Sequence, residues 1–335
     1  MDRSERVLFL DIAPDGVFEH ARRRLGDEHR LVRVETEDPA EIEALAQGAT
    51  SILVGHIPAT AEIFEAAAPT LRFVQRLGRG LDLVDLGAAR RLGVEVAIVA
   101  GGNAPQVAEH VVMLMLAWLR QLDVALPTLR SGGWAREEFR SSLRGLADSR
   151  VAIVGMGQVG RAVVRLLDAF GTEVIAIRRD HRGRIARDAL EAAIEDADII
   201  SLHVPMLPET RHLVDAALLE RFRRDALLVN TSRGSVVDER ALTDALLRGS
   251  LGGAALDVFE DEPLPAGSPL RSIPRVILTP HVAGASEQTR LRVIDRGVDN
   301  ILRRAREADL PDGDWVLGPN PPARAVTAPD RKEPS

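Results

Sequence analysis

Four residues able to do chemistry stand in the second half of the chain, each just after a short apolar run. They are Arg233 in Val229-Asn-Thr-Ser-Arg-Gly, Asp257 in Ala255-Leu-Asp, Glu262 before Pro263, and His281 after Pro280. A fixed cation, a carboxylate and a histidine are the parts that hydride transfer to a keto acid requires. The cation polarises the carbonyl, and the histidine moves the proton. Composition removes many rivals. Of 43 basic residues the only lysine is Lys332, and cysteine and tyrosine are absent. A P-loop, a lysine Schiff base, a cysteine nucleophile, a thiolate metal site and a Tyr-x-x-x-Lys dehydrogenase are thereby excluded. No metal site is expected.

A second constellation lies upstream. Val151-Ala-Ile-Val runs into Gly155-Met-Gly157-Gln158-Val159-Gly160, followed by an amphipathic stretch, Arg161–Phe170. In a dinucleotide loop the first glycine permits a tight turn. The second lets the backbone approach a pyrophosphate, and the third lets helix and strand pack closely. The helix N-terminus then offers N–H groups and a positive dipole end to the phosphates. Strand, glycines, helix and a further strand at Glu173–Ile177 come in the required order. At the end of that strand, where NAD enzymes carry an acidic residue for the ribose, stand Arg178 and Arg179. Guanidinium groups there suit the extra phosphate of NADP, so NADP is favoured over NAD.

These residues need a scaffold, and short β-like runs alternate with helical patterns along most of the chain. Arg6–Leu10, Leu31–Glu35, Ser51–Gly55, Arg72–Leu77 and Glu95–Val99 form one series. Arg150–Gly155, Glu173–Ile177, Asp198–His203, Ala226–Thr231, Gly253–Asp257 and Val276–Thr279 form another. Alternation of this kind predicts parallel sheets covered by helices. A single long helical pattern, about Pro105 to Leu129 with Asn103 as its N-cap, separates the series, and another, Ser286–Ala308, follows them. Residues 311–335 hold six prolines and read as loosely packed. In doubly wound sheets ligands bind at the carboxyl ends of strands, where the three downstream motifs converge.

The motifs together resemble the D-isomer-specific 2-hydroxyacid dehydrogenases, the family of glyoxylate/hydroxypyruvate reductases and D-3-phosphoglycerate dehydrogenase. The likeness runs from about Leu71 to Arg292. It includes Leu77-Gly-Arg-Gly-Leu-Asp-Leu-Val-Asp-Leu86, Gly102-Asn-Ala-Pro-Gln-Val-Ala-Glu-His110, the glycine loop, Leu202-His-Val-Pro205 and Leu207-Pro-Glu-Thr210. It implies a Rossmann-type cofactor domain, residues 102–285, inserted into a flavodoxin-like substrate domain, residues 1–101 and 286–318, with 319–335 as a flexible tail. It also implies roles. His281 would be the general acid/base, paired with Glu262, and Arg233 would clamp the substrate. Asp257 would hold the nicotinamide carboxamide, and Thr231 and Ser232 would line the nicotinamide. Gln158 and Val159 would meet the pyrophosphate, and His203, Val204, Pro205 and Gly284 would complete the cofactor site. Gly78-Arg79-Gly80 would offer backbone N–H groups to the substrate carboxylate. Two departures stand out. The segment between Arg178 and Asp188 is about ten residues shorter than in the family, trimming the edge strand beside the adenine. Arg79 replaces a small residue or Val, which suits a second acidic group.

The implied function is hydride transfer between NAD(P)H and a small 2-keto or 2-hydroxy acid, glyoxylate or hydroxypyruvate first. Alternatives on the same fold are a phosphite-dehydrogenase-like enzyme and a dinucleotide-sensing, corepressor-like protein. A net charge of −7 argues against nucleic acid as partner. The longest apolar run, Val111–Leu119, is far short of the ~20 residues of a bilayer span. Val7–Leu10 is too short for a signal peptide, which points to the cytoplasm. The length of the apolar helical pattern Gln106–Leu126 suggests a homodimer.

Overall fold

The computed structural model describes residues 4–180 and 184–318. They fall into two compact units, the described residues of 4–102 with 290–318, and those of 103–289. In the first unit β1 (Arg6–Leu10), α1 (Asp15–Leu25), β2 (Arg30–Arg33), α2 (Pro39–Ala46), β3 (Ser51–Val54), α3 (Ala61–Ala67), β4 (Phe73–Arg76), α4 (Leu86–Leu92) and β5 (Glu95–Ile98) alternate. The second unit opens on α5 (Ala104–Leu119), α6 (Leu122–Arg130) and α7 (Arg136–Ser142). It continues with β6 (Arg150–Val154), α8 (Gln158–Ala169), β7 (Glu173–Ile177), α9 (Arg187–Asp196), β8 (Ile199–Leu202), α10 (Ala216–Leu219), β9 (Leu227–Asn230), α11 (Glu239–Leu247), β10 (Gly253–Leu256) and β11 (Val276–Leu278). Helix α12 (Glu287–Ala305) and β12 (Trp315–Leu317) return the chain to the first unit.

Both sheets are doubly wound. The order is β12-β5-β4-β3-β1-β2 in the first unit and β11-β10-β9-β8-β6-β7 in the second. Every pairing is parallel except β12 on β5. The central strands are short runs buried on both faces. Val151, Ala152, Ile153 and Val154 are all without exposed surface, as a sheet covered by helices on both sides requires. Such a side chain contributes about 1.5–3 kcal/mol when fully buried, and truncating Ile153 to alanine would cost about 2–5 kcal/mol. Aspartates start several of the helices. Asp38, Asp85, Asp215 and Asp238 each accept a hydrogen bond from an amide in the first turn.

The structure corrects three expectations. The long helical pattern breaks after Leu119. Gln121 takes a left-handed φ of 50°, and α5 and α6 meet at 62°. The reason lies in burial: α5 packs Val107, Val111, Leu114, Met115, Trp118 and Leu119 inward, whereas α6 buries nothing. The Trp118 indole also anchors that end, donating to the Arg275 carbonyl at 3.2 Å. Asn103 does not cap α5 through its side chain. Its amide lies instead against Gly284, where an added Cβ would come within 2.3 Å of Asn103 Nδ2. Finally, residues 311–318 are not loosely packed. Asp314 is fully buried, accepting from Arg296 and Asn300 at 2.9 Å, and Trp315 packs edge-on against Phe73. Residues 319–335 lie outside the described residues.

Candidate active site

The second unit gathers the glycine loop, His203, the Thr231–Arg233 turn, Glu262 and His281 at the carboxyl ends of its strands. The sheet order reverses between β6 and β8, so the loops after these two strands flank the switch point. They touch there: Gly155, at φ 105°, lies so close to His203 that a Cβ would be 2.5 Å from the His203 carbonyl oxygen. Gly160 is equally constrained, 2.0 Å from the Gly155 oxygen by the same measure. Gly157 is different. It precedes α8 as its N-cap, and a Cβ there would meet nothing within 4 Å. The protein's own packing makes no demand for glycine at this position, and the space beside the helix N-terminus is open. Gln158 is exposed and Val159 partly so at the start of α8. Arg161, which the motif did not single out, donates to the Met156 carbonyl at 2.7 Å and stiffens the loop.

Arg178 and Arg179 follow β7, are exposed, and make no hydrogen bond or ion pair among the described residues. Asp180 N–H donates to the Arg184 carbonyl at 2.8 Å, and β7 is the edge of its sheet. Val204 is buried and Pro205 exposed, and the Thr210 hydroxyl fixes that loop by donating to the Pro205 carbonyl at 2.7 Å. His203 Nε2 lies 3.0 Å from the Ser201 hydroxyl. Enclosure of the His203 ring pushes its pKa down to about 4, so the imidazole is neutral near pH 7.

Asn230, buried at the end of β9, organises the next turn. Its oxygen accepts from Ser232 N–H at 3.0 Å and the Ser232 hydroxyl at 2.8 Å, and its amide donates to the Arg233 carbonyl at 2.9 Å. Arg233 Nη1 donates to the Ser232 carbonyl at 2.7 Å. The Thr231 hydroxyl is buried and has no hydrogen-bond partner among the described residues. Gly234 brings this turn onto the backbone of Phe259 and Glu260, where a Cβ would stand 1.9 Å from the Phe259 carbonyl carbon.

Glu262 and His281 meet in the geometry of an oriented acid/base pair. His281 Nδ1 is 2.6 Å from Glu262 Oε2, while Glu262 Oε1 accepts from Phe259 N–H at 3.0 Å. With Nδ1 committed to the carboxylate, Nε2 is the nitrogen left to exchange a proton. Their side chains are 50% and 36% exposed, so a reactant can reach them. His281 itself sits at a left-handed φ of 53°, which for a residue with a side chain costs on the order of 1 kcal/mol.

Asp257 has other commitments. It is completely buried. Its Oδ1 accepts from the Thr279 hydroxyl at 2.5 Å and Val282 N–H at 2.9 Å, and Oδ2 from Ala283 N–H at 2.8 Å. This carboxylate is spent on the His281 segment and presents no surface to a carboxamide. Gly284 likewise serves packing, against Asn103. Arg79 and Gly80 lie in the first unit, just past β4. There the Arg76 guanidinium donates to the carbonyls of Val54, Gly55, Leu77 and Gly80 and pins the loop, leaving Arg79 exposed. Asn230, Arg76 and Arg161 carry no motif of their own. The one available signal is a polar residue at the end of an apolar strand or just inside a helix.

A nicotinamide dinucleotide fits these residues. The open cradle at Gly157, the helix N-terminus behind it and the unpartnered Thr231 hydroxyl supply room and donors that the protein leaves unused. Among the described residues no group of His, Asp and Glu is placed to hold a metal ion, and no single helix is long and apolar enough to cross a membrane.

The comparisons with known proteins agree. The sequence model for the D-isomer specific 2-hydroxyacid dehydrogenase, NAD binding domain, matches residues 112–283, just over half of the chain. A glyoxylate reductase of Korarchaeum cryptofilum is 38% identical over 253 residues, covering 73% of this chain and 76% of its own. A glycerate dehydrogenase of Methylorubrum extorquens is 32% identical over 305 residues, covering 89% and 95%. The structure of D-lactate dehydrogenase from Aquifex aeolicus, complexed with NAD and lactic acid, superposes with a TM-score of 0.82 at 26% identity over 94% of this chain and 100% of that one. With a matching domain and relatives of this identity along most of its length, the chain belongs to the D-isomer-specific 2-hydroxyacid dehydrogenases, NAD(P)-linked oxidoreductases acting on a CH–OH group.

Proposed function

We propose that this enzyme reduces a small 2-keto acid, glyoxylate or hydroxypyruvate, to the D-2-hydroxy acid, with His281 as proton donor. The observation that carries the reading is the His281–Glu262 pair at 2.6 Å, with the second Glu262 oxygen tied to Phe259 N–H. The bound nicotinamide supplies or takes the hydride. His281 Nε2 gives its proton to the substrate oxygen as the carbonyl becomes an alcohol, and Glu262 orients the ring through its contact with Nδ1. Arg233 polarises the C=O and holds the carboxylate. The second unit holds the cofactor, with Gly155, Gly157, Gln158, Val159, Gly160, His203, Val204, Pro205, Thr231 and Ser232 about it. The test is a steady-state panel of 2-keto acids with His281→Ala, which should abolish turnover and keep cofactor affinity. An unaffected rate sinks the assignment. Tight cofactor binding without wild-type turnover on the whole panel supports a dinucleotide-sensing protein instead.

NADP is favoured over NAD because Arg178 and Arg179 offer exposed guanidinium groups, unpaired among the described residues, after β7, where a 2′-phosphate would need charge-assisted donors. Arg178→Asp should weaken NADPH more than NADH, and equal losses would count against this contact. A homodimer is supported by the apolar surface of α6, where Leu122, Val124, Leu126 and Leu129 are 41–54% exposed, and by Trp134 at 80%. Sedimentation at micromolar concentration tests it, and a monomer would refute it.

A further inference from the structure

We propose that His110 is a positioning residue for proton transfer, acting through Thr279 on the Asp257 carboxylate that carries the His281 segment. This rests on the reading of His281 as proton donor.

His110 lies on α5, 13% exposed, with Nε2 at 3.1 Å from Thr279 Oγ1 and 3.7 Å from Asp257 Oδ1. Thr279 Oγ1 is in turn 2.5 Å from Asp257 Oδ1. A hydroxyl has one proton, and a carboxylate only accepts, so Thr279 donates to Asp257. The Thr279 oxygen can then only accept from His110, which fixes the proton of the neutral imidazole on Nε2. Burial lowers the His110 pKa against the opposing pull of Asp257, and this keeps the ring neutral. The result is one self-consistent chain, His110 Nε2–H to Thr279 Oγ1–H to Asp257 Oδ1, in which each bond strengthens the next.

Everything downstream of that carboxylate concerns His281. Asp257 accepts from Val282 and Ala283 N–H, and its own carbonyl accepts from His281 N–H at 2.8 Å. These bonds bracket the one residue of the segment held at a left-handed φ. A buried carboxylate without a cation at its side keeps one orientation only while all its donors stay in place. His110 holds Thr279 in the donating rotamer, and so sets where the His281 ring stands. Small misplacements of a proton donor cost turnover far more than they cost binding.

The experiment compares His110→Leu, His110→Gln and Thr279→Val with the wild type in the full-length enzyme, using NADPH and the best keto acid of the panel. His110→Leu and Thr279→Val should each lower kcat about tenfold or more, with KM for the cofactor within about threefold. His110→Gln, whose terminal amide can donate from the Nε2 position, should recover most of the loss. The double variant His110→Leu/Thr279→Val should be no worse than Thr279→Val alone. Wild-type kcat in His110→Leu overturns the proposal, and so does a His110→Gln variant that loses kcat and thermal stability as fully as His110→Leu. If the wild type turns over no keto acid, the proposed function fails, and 15N NMR of His110 decides the linkage separately. A neutral ring protonated at Nε2 supports it, and protonation at Nδ1 overturns it.

Discussion

Replacing Gly157 with alanine separates what the protein needs from what its ligand needs. Gly157 has φ −72°, a value alanine adopts without strain, and no protein atom lies within 4 Å of the added methyl. Loss of chain entropy in the unfolded state favours alanine by about 0.4–1 kcal/mol. Alanine is a poorer N-cap than glycine by a similar amount. The two nearly cancel, and at about 2–4 °C per kcal/mol for a folding unit of the size of Asn103–Thr289 the apoprotein Tm should move by no more than about 3 °C. The methyl does enter the space where the backbone would approach a pyrophosphate. Overpacking of that kind costs about 1–3 kcal/mol, which is roughly a 5- to 150-fold rise in Kd. Fluorescence titration with NADPH and NADH, alongside thermal unfolding without cofactor, measures both halves. Wild-type affinity in a folded variant would refute the assignment of this space to the dinucleotide. A collapsed Tm would refute the claim that the protein places no demand on the position.

Gly234→Ala should behave in the opposite way, because its Cβ would fall 1.9 Å from the Phe259 backbone. A stability loss of about 3 kcal/mol or more in urea unfolding is expected, together with lost turnover as the Arg233 turn lifts from the Glu262 loop. The neutral His203 makes stability depend on acid. Its folded pKa of about 4 lies below the unfolded value of 6.5, so its contribution is complete above 6.5 and fades as pH falls toward 4. The full span corresponds to at most about 3 kcal/mol, less here because the ring keeps some contact with solvent. The difference in Tm between wild type and His203→Gln should therefore shrink from pH 7 to pH 4, and a constant difference would contradict it.

Strand positions were legible to within a residue or two, because most are short apolar runs bounded by polar residues, and the central strands β3, β8, β9 and β10 are buried along their whole length. The glycine loop and the Arg233, Glu262 and His281 motifs were legible for a similar reason: their chemistry is local to a few consecutive residues. What escaped was decided by distant contacts. The break at Gln121 depends on where the sheet stops offering α5 a surface, and Trp118 marks that point only once its bond to Arg275 is known. Asp257 reads as a ligand-facing carboxylate until Thr279, Val282 and Ala283, more than twenty residues on, are seen to use it. Asn103 holds the N-cap position of α5, but its side chain makes no capping bond and lies against Gly284 instead. Trp315 and Asp314 sit in a proline-rich segment whose composition conceals a strand.

The edge position of β7 has a further consequence. Among the described residues, the outer side of Glu173–Ile177 is a row of backbone donors and acceptors that no neighbouring strand of the sheet uses. Such rows recruit strands from other molecules. Here the strand is only five residues long, opens on Glu173 and runs straight into Arg178 and Arg179. The two guanidinium groups thus stand as gatekeepers against edge-to-edge aggregation, so a substitution that tests the proposed phosphate contact would also alter solubility at this corner of the sheet.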